Sequence, residues 1–130
     1  MMSNVELIQS ILGCARTGRD HPQMVATLKN AGVCGYSVHV ASGETVIYTN
    51  GHETIRLPGC GEEHLVSFHP DVGLLSDALS LHHEGRTDYI TFCRQAAKAG
   101  LNLWVVDLNM MNVSYFTING LLVHEESIQP

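Results

Sequence analysis

Histidine is the residue type in this sequence that offers the most chemistry, since the chain has eight in 130 residues. Zinc prefers sulfur and imidazole ligands, and one loop-rich region supplies four of them: Cys60, His64, His69 and His82. The spacing C-x3-H-x4-H is no recognised zinc motif, so solvated or hydrogen-bonded histidines are the alternative. The sequence therefore predicts no cofactor, and zinc at this loop remains the open second interpretation.

A second group of ionisable residues lies where one predicted helix ends and the next begins. It places a base, carboxylates, a cation and a phenol close together, in the order His82-His83-Glu84-Gly85-Arg86-Thr87-Asp88-Tyr89. General acid–base sites use such groups. The same residues also describe a capped, exposed turn, in which Gly85 stops one helix, Thr87 caps the next and Asp88 lies just inside it. Both interpretations stay open at this point.

Composition and charge limit the function classes. A chain of this length that is 45% hydrophobic can bury a core as one domain, residues 1–130. The net charge is −6 and the seven Lys and Arg are scattered singly, so we expect no nucleic-acid partner. No basic leader segment and no apolar run of membrane-spanning length is present, so we expect no membrane association and a cytoplasmic location.

The elements that must position these residues follow from hydrophobic periodicity. Helical spacing runs from Val5 to Leu12, from Pro22 to Gly32, from Val72 to His83, and from Thr87 to Gly100. Alternation with a period of two predicts strands between and after the helices. These run from Tyr36 to Val40, Glu44 to Thr49, Thr54 to Leu57, Leu65 to Phe68, Leu103 to Leu108, Val113 to Ile118 and Leu121 to Glu125. The pattern predicts an α+β fold in which an antiparallel sheet packs against about four helices.

An internal repeat is suggested by matches at one offset. Ala31-Gly32 and Ala99-Gly100 lie 68 residues apart, and the same offset relates Tyr36 to Trp104. We therefore predict two helix–helix–hairpin halves, about residues 4–57 and 71–126, related by a pseudo-twofold axis. Chance similarity between two such units is the alternative.

The repeat generates a third candidate site. His39 and Asp107 are also 68 residues apart, and each lies on the strand face opposite the aromatic residue. If the two hairpins form one sheet, these side chains could meet as a His–Asp pair, in which the aspartate orients the histidine as a base. The nearest nucleophiles in sequence are Cys34 and Ser37, and polar residues on a solvent-facing sheet are the alternative explanation.

With the elements placed, the chain resembles the YdfO-like family over nearly its whole length. The resemblance rests on residues 85–116, G-R-T-D-Y-I-T-F-C-R-Q-A-A-K-A-G-L-N-L-W-V-V-D-L-N-M-M-N-V-S-Y-F, with Gly120 and Glu125. These are small bacterial, prophage-associated proteins, sometimes labelled phage envelope protein. The resemblance implies an α+β fold and no assigned activity, so no catalytic residue is carried over. Ser114 departs from the pattern, in which a cysteine often precedes the tyrosine.

Two functions follow as hypotheses. The first is a non-enzymatic accessory or interaction protein of prophage or mobile-element type, acting through a protein or small-ligand surface. That surface would be the loop at residues 50–70 or the strand from Leu121 to Glu125, and an exposed edge could also form a homodimer. The alternative is a small enzyme or metal-dependent binder that uses the histidine-rich region 60–89.

Overall fold

Six strands form one antiparallel sheet in the computed structural model of the chain, which describes residues 6–8, 22–59 and 63–128. The strands are β1 (Val33–His39), β2 (Thr45–Thr49), β3 (Thr54–Leu57), β4 (Leu101–Asp107), β5 (Asn112–Thr117) and β6 (Leu122–Ser127). Their order across the sheet is β3-β2-β1-β4-β5-β6. The strands β1 and β4 therefore pair at the centre, and β3 and β6 form the two edges.

The helices cover one face of this sheet. They are α1 (Pro22–Asn30), α2 (Val72–His83) and α3 (Tyr89–Lys98), and residues 6–8 are also helical. The covered face carries Tyr36, Val38, Trp104 and Val106, all in one buried cluster with the inner residues of the helices. The α+β class and the antiparallel sheet are thus confirmed. Among the described residues, no helix has the length and apolar character needed to cross a membrane.

Most predicted elements are present at nearly the predicted bounds. The helix Val72–His83 has the bounds that its apolar pattern predicts, and Asp71 caps it by accepting a hydrogen bond from the Leu74 N–H at 3.0 Å. Both predicted hairpins form, as β1–β2 and β5–β6. The helix predicted from Val5 to Leu12 lies mostly outside the described residues.

Two predictions of local structure were wrong. Residues 65–68 form no strand, because this segment bonds to the end of α3: the Ser67 N–H donates to the Ala97 carbonyl at 2.9 Å. The cap of α3 is Asp88 instead of Thr87, with the Asp88 carboxylate accepting from the Thr91 N–H at 2.7 Å. A carboxylate next to the first helical turn also favours the positive end of the helix dipole.

Two glycines end helices and start the central strands with nearly the same backbone. Gly32 has a φ of 89° and Gly100 a φ of 88°, in the left-handed region that favours glycine. Their surroundings differ. A Cβ on Gly100 would lie 2.7 Å from Cα of Pro70, whereas a Cβ on Gly32 would meet nothing within 4 Å.

We predict that Gly32→Ala and Gly100→Ala have unequal costs. Gly32→Ala should lower the free energy of unfolding by about 1 kcal/mol, the cost of a left-handed alanine. Gly100→Ala should cost about 1–3 kcal/mol more, because the new methyl displaces the backbone of Pro70. Urea denaturation of both variants measures the difference. Equal losses would show that α3 and the segment before α2 do not pack as described.

Candidate functional site

Four polar side chains from three elements meet on the helix-covered face near the β6 edge. The hydroxyl of Tyr115 donates to Oε1 of Glu126 at 2.6 Å, and Nε2 of His83 lies 3.2 Å from the same oxygen. Nε2 of His124 lies 3.4 Å from Oε2 of Glu126. We call His83, Tyr115, His124 and Glu126 the Glu126 cluster. It is a carboxylate surrounded by a phenol and two imidazoles.

The fold explains why these residues meet. In the β5–β6 ladder, Tyr115 is opposite His124 and Val113 is opposite Glu126, and residues directly opposite one another share a face. That face is the helix-covered one, since Val113 and Tyr115 are buried in the core. His83 is the last residue of α2, where the negative end of the helix dipole favours a positively charged imidazole.

The electrostatics of the cluster favour an ionised carboxylate. Burial raises the pKa of Glu126, but hydrogen bonds from His83 and Tyr115 and the charge of His83 lower it more. The pKa of Glu126 therefore lies below its ordinary value of 4.5. The two imidazoles are about half exposed, so both contact solvent. Chemically, the arrangement can hold a positive charge or relay a proton between solvent and Glu126.

The turn between α2 and α3 is mainly structural. Glu84 and Arg86 form an exposed ion pair at 3.1 Å, and Gly85 has a φ of 75° that ends α2. Hydrogen bonds from the side chain and backbone of Thr91 lower the pKa of Asp88, which is a helix cap. These contacts explain three of the ionisable residues that the sequence grouped as an acid–base site. These residues therefore act as an ion pair and a helix cap instead of forming one acid–base site.

Two of the three aromatic residues of this turn lie in the core. His82 is buried and stacks on Phe92 with ring centroids 4.3 Å apart, and its Nδ1 lies 3.2 Å from Oγ1 of Thr87. Tyr89 is buried with its ring edge toward Trp104 at 6.2 Å. Of the residues that the sequence placed in this group, only His83 reaches the Glu126 cluster.

The proposed pair of His39 and Asp107 does not form. In the central ladder Asp107 is opposite Gly35 and His39 is opposite Leu103, so four residues of β1 separate them. At about 3.3 Å per residue this is roughly 13 Å, beyond hydrogen-bond reach. Asp107 instead accepts hydrogen bonds from the backbone N–H groups of Asn109 and Met110, both at 2.9 Å. It stabilises the turn between β4 and β5.

The nucleophiles considered beside His39 are also engaged elsewhere. The thiol of Cys34 donates to the carbonyl of Tyr48 at 3.3 Å. Ser37 is buried at the middle of the β1–β4 ladder, opposite Val105. Neither residue is brought next to a histidine by the described contacts, so this part of the sheet offers no nucleophile–base arrangement of the kind that the sequence suggested.

The residues considered for zinc are dispersed. Cys60 lies outside the described residues, His69 is exposed, and His82 is in the core. Within residues 6–8, 22–59 and 63–128, no group of three or more histidine, cysteine, aspartate or glutamate residues could hold a metal ion.

The cluster of Tyr115, His124 and Glu126 was not predicted from the sequence. The signal that could have found them is the hairpin at Asn119-Gly120, which fixes which residues of β5 and β6 are opposite one another. The predicted strand ended at Glu125, one residue before the carboxylate that matters. The approach of His83 from α2 is a tertiary contact that carries no local signal.

An exposed apolar surface lies beside the cluster on the same edge of the sheet. Leu121 is 64% exposed and Leu122 is 48% exposed at the start of β6. A shallow groove next to them is lined by Pro70, Val72 and Val123, among others. These two adjacent leucines form a small exposed apolar surface at the start of β6.

Comparisons with known proteins give a family and a relative. The family described as "Protein of unknown function (DUF1398)" matches residues 9–127 of this chain. The "Uncharacterized protein YcgX" of Escherichia coli (strain K12) is 24% identical over 128 residues, which cover 98% of this chain and 96% of that protein. The family match includes all four residues of the Glu126 cluster.

We predict that Glu126→Gln makes the free energy of unfolding less dependent on pH in the acidic range. Because the folded-state pKa of Glu126 is lowered, its contribution is fully present above 4.5 and is lost as the pH falls through the lower folded-state value. At pH 7 the variant should lose about 1 kcal/mol of unfolding free energy, a value discounted for partial solvent screening. Urea denaturation at several pH values measures it.

The matched control is Glu125→Gln, which removes the same charge from the neighbouring residue. Glu125 is exposed and its carboxylate accepts only a 3.3 Å hydrogen bond from Ser114 among the contacts described. Its loss should change stability by less than about 0.5 kcal/mol. An equal effect of the two variants, or a Glu126→Gln loss that persists unchanged at low pH, would contradict the role of the cluster.

Proposed function

Since the chain belongs to the DUF1398 family, whose description gives no function, we propose a role from its surface: a non-enzymatic interaction protein that binds an extended segment of a partner protein along β6. The observation that carries this proposal is the open edge of the sheet at β6. An edge strand presents backbone N–H and C=O groups that an added strand can pair with.

The exposure of β6 supports this proposal. Leu122, His124, Glu125 and Ser127 are exposed along a strand of six residues. On its outer side β6 has no strand neighbour among the described residues. The core holds β6 firmly from its inner side, because Ile128 is buried just after it and donates its N–H to the Met111 carbonyl at 2.8 Å. A rigid edge lowers the entropy cost of binding.

The opposite edge is a poorer candidate. Strand β3 has four residues, and its last residue, Leu57, is buried. Its Arg56 is bound to Glu44 at 2.7 Å. A partner strand would therefore find fewer accessible backbone groups on β3 than on β6.

A mobile-element origin and membership of the YdfO-like family remain part of the proposal and rest on the sequence resemblance. The acidic composition supports a protein partner over nucleic acid. A cytoplasmic location also remains a prediction from the sequence. A second copy of the chain is the alternative occupant of the β6 edge.

We also infer that the two halves of the domain are copies of one unit. The bounds of β1 and β4 differ by 68 residues at both ends. Seven described residues have a positive φ, and six of them form three pairs at this same separation: Gly32 with Gly100, Gly43 with Met111, and His52 with Gly120. Helix stops and turns thus recur at matching places. Chance rarely repeats three special backbone positions at one offset.

The two aromatic residues that the repeat relates also support it. Tyr36 and Trp104 are both buried in the same core, and each is opposite a valine across the central ladder. The duplication would be contradicted if, in structures of relatives, only one residue of each pair had a positive φ.

The second candidate function is a small enzyme or ligand-binding protein that uses the Glu126 cluster. The 2.6 Å hydrogen bond from Tyr115 to Glu126 and the two nearby histidines favour it. These groups replace the wider histidine-rich region 60–89 as the acid–base alternative. A ligand that binds here would shift the imidazole signals of His83 and His124 in nuclear magnetic resonance spectra.

We predict that β6 forms cross-links to a protein partner that β3 does not form. A photo-reactive phenylalanine analogue at position 122 should cross-link an extended segment of one protein in cells that express the chain. The same analogue at position 56 on the opposite edge is the control. The cross-linked peptide, mapped by mass spectrometry, should lie in an extended segment of the partner. Equal cross-linking from both edges, or none from position 122, would contradict the proposal.

A further inference from the structure

We infer that the segment bound along β6 is basic at its start and apolar at its end. This inference rests on the proposed strand addition at β6 and adds the chemistry of the partner. An antiparallel partner strand begins beside Glu125 and ends beside Leu122. It would place a lysine or arginine opposite Glu125 and an aliphatic or aromatic side chain opposite Leu122.

No lysine or arginine of β5 or β6 lies beside the acidic end of β6. Strands β5 and β6 read NVSYFT and LVHEES and contain neither lysine nor arginine. Glu125 is opposite Ser114, whose hydroxyl donates to its carboxylate at 3.3 Å. This contact leaves the exposed carboxylate able to accept further hydrogen bonds. Opposite charges directly across two strands attract, and like charges repel.

Glu126 lies on the other face and has a different role. Its carboxylate already accepts from Tyr115 and lies beside both histidines of the cluster, so it fixes the end of β6. The partner's basic residue is therefore expected to pair with Glu125 on the open face of the sheet. Six excess negative charges on the whole chain add a long-range attraction for a basic segment.

The apolar end of β6 supplies the second contact. Leu122 is 48% exposed and is opposite Phe116, which is only half-buried on the open face. An apolar side chain of the partner would cover both residues. Leu121, which is 64% exposed, extends this surface toward the turn. The acidic and apolar ends together define the direction of the bound segment.

Two of the registers in which a second copy of the chain could pair along β6 are electrostatically unfavourable. Two β6 strands related by a twofold axis through a continuous sheet keep their open faces on the same side, so residues of equal parity are opposite one another. Centring the axis on Glu125 puts two carboxylates opposite each other. Centring it on His124 puts two imidazoles opposite each other. An axis at Val123 would instead pair two valines, so sedimentation, described below, decides between a second copy and a basic segment.

The test uses two short synthetic peptides with blocked ends. The first reads Thr-Lys-Thr-Lys-Thr-Val-Thr-Val, and the second has glutamate in place of both lysines. The full chain is titrated with each peptide up to about 1 mM, a range suited to weak strand addition. Chemical shifts give the affinity, and amide hydrogen exchange gives the strand that becomes protected.

We predict that the lysine peptide binds about tenfold more tightly than the glutamate peptide and protects amides of β6 and not of β3. Glu125→Gln should reduce this ratio to about threefold. Glu53→Gln, which removes the same charge from the exposed turn before β3, should leave the ratio unchanged. The affinity of the lysine peptide should also fall as salt is added.

Each other outcome overturns a defined part of the inference. Equal affinity of the two peptides with protection at β6 overturns the basic chemistry and leaves strand addition standing. Protection at β3, or no binding of either peptide, overturns the chemistry inferred for the bound segment. The cross-links from position 122 test the proposed function separately. Dimers in sedimentation that Leu122→Asp abolishes and Leu65→Asp retains would make a second copy the occupant and overturn the inference.

Discussion

The antiparallel pairing of β1 with β4 is the constraint on which the rest of the structure depends. It joins two segments about 68 residues apart and aligns Tyr36 with Val106 and Val38 with Trp104. All four side chains are buried against the helices. Closing so long a loop costs entropy, which the burial of this apolar face offsets. Once this pair is in place, each hairpin can extend the sheet only outward.

This arrangement decides which residues can form a site. Because β1 and β4 are antiparallel, residues 68 positions apart lie on opposite sides of the centre of the ladder. Only Ser37 and Val105 are opposite each other. His39 and Asp107 are therefore carried to opposite ends of the ladder. The same outward growth makes β3 and β6 the two edges. The edges differ in chemistry, because one carries the Arg56–Glu44 pair and the other carries two glutamates and exposed leucines.

Local sequence signals predicted much of the fold. The apolar stripe of α2, the alternation of six of the seven predicted strands and the helix stops at Gly32 and Gly100 are short-range features, and each was found where predicted. The cap of α3 was missed because Thr87 and Asp88 are both good caps, and the choice depends on the backbone at Asp88. The path of residues 65–68 depends on free carbonyls at the end of α3, which no local pattern encodes.

The candidate site was less predictable than the fold for a physical reason. The Glu126 cluster needs the β5–β6 register and the placement of the last residue of α2 over β6, and these are set by packing between distant segments. The sequence contained the ionisable residues but not their neighbours. His82 shows the converse: it has the chemistry of a catalytic residue, yet it stacks on Phe92 in the core.

Native-state hydrogen exchange across the sheet can show whether a stable β1–β4 centre supports an open β6 edge. We expect the amides bonded between β1 and β4 to exchange slowest, through global unfolding, and the outward-facing amides of β6 to exchange orders of magnitude faster. Amides of β6 that exchange as slowly as those of β1 would show that the edge is covered, and would contradict this expectation.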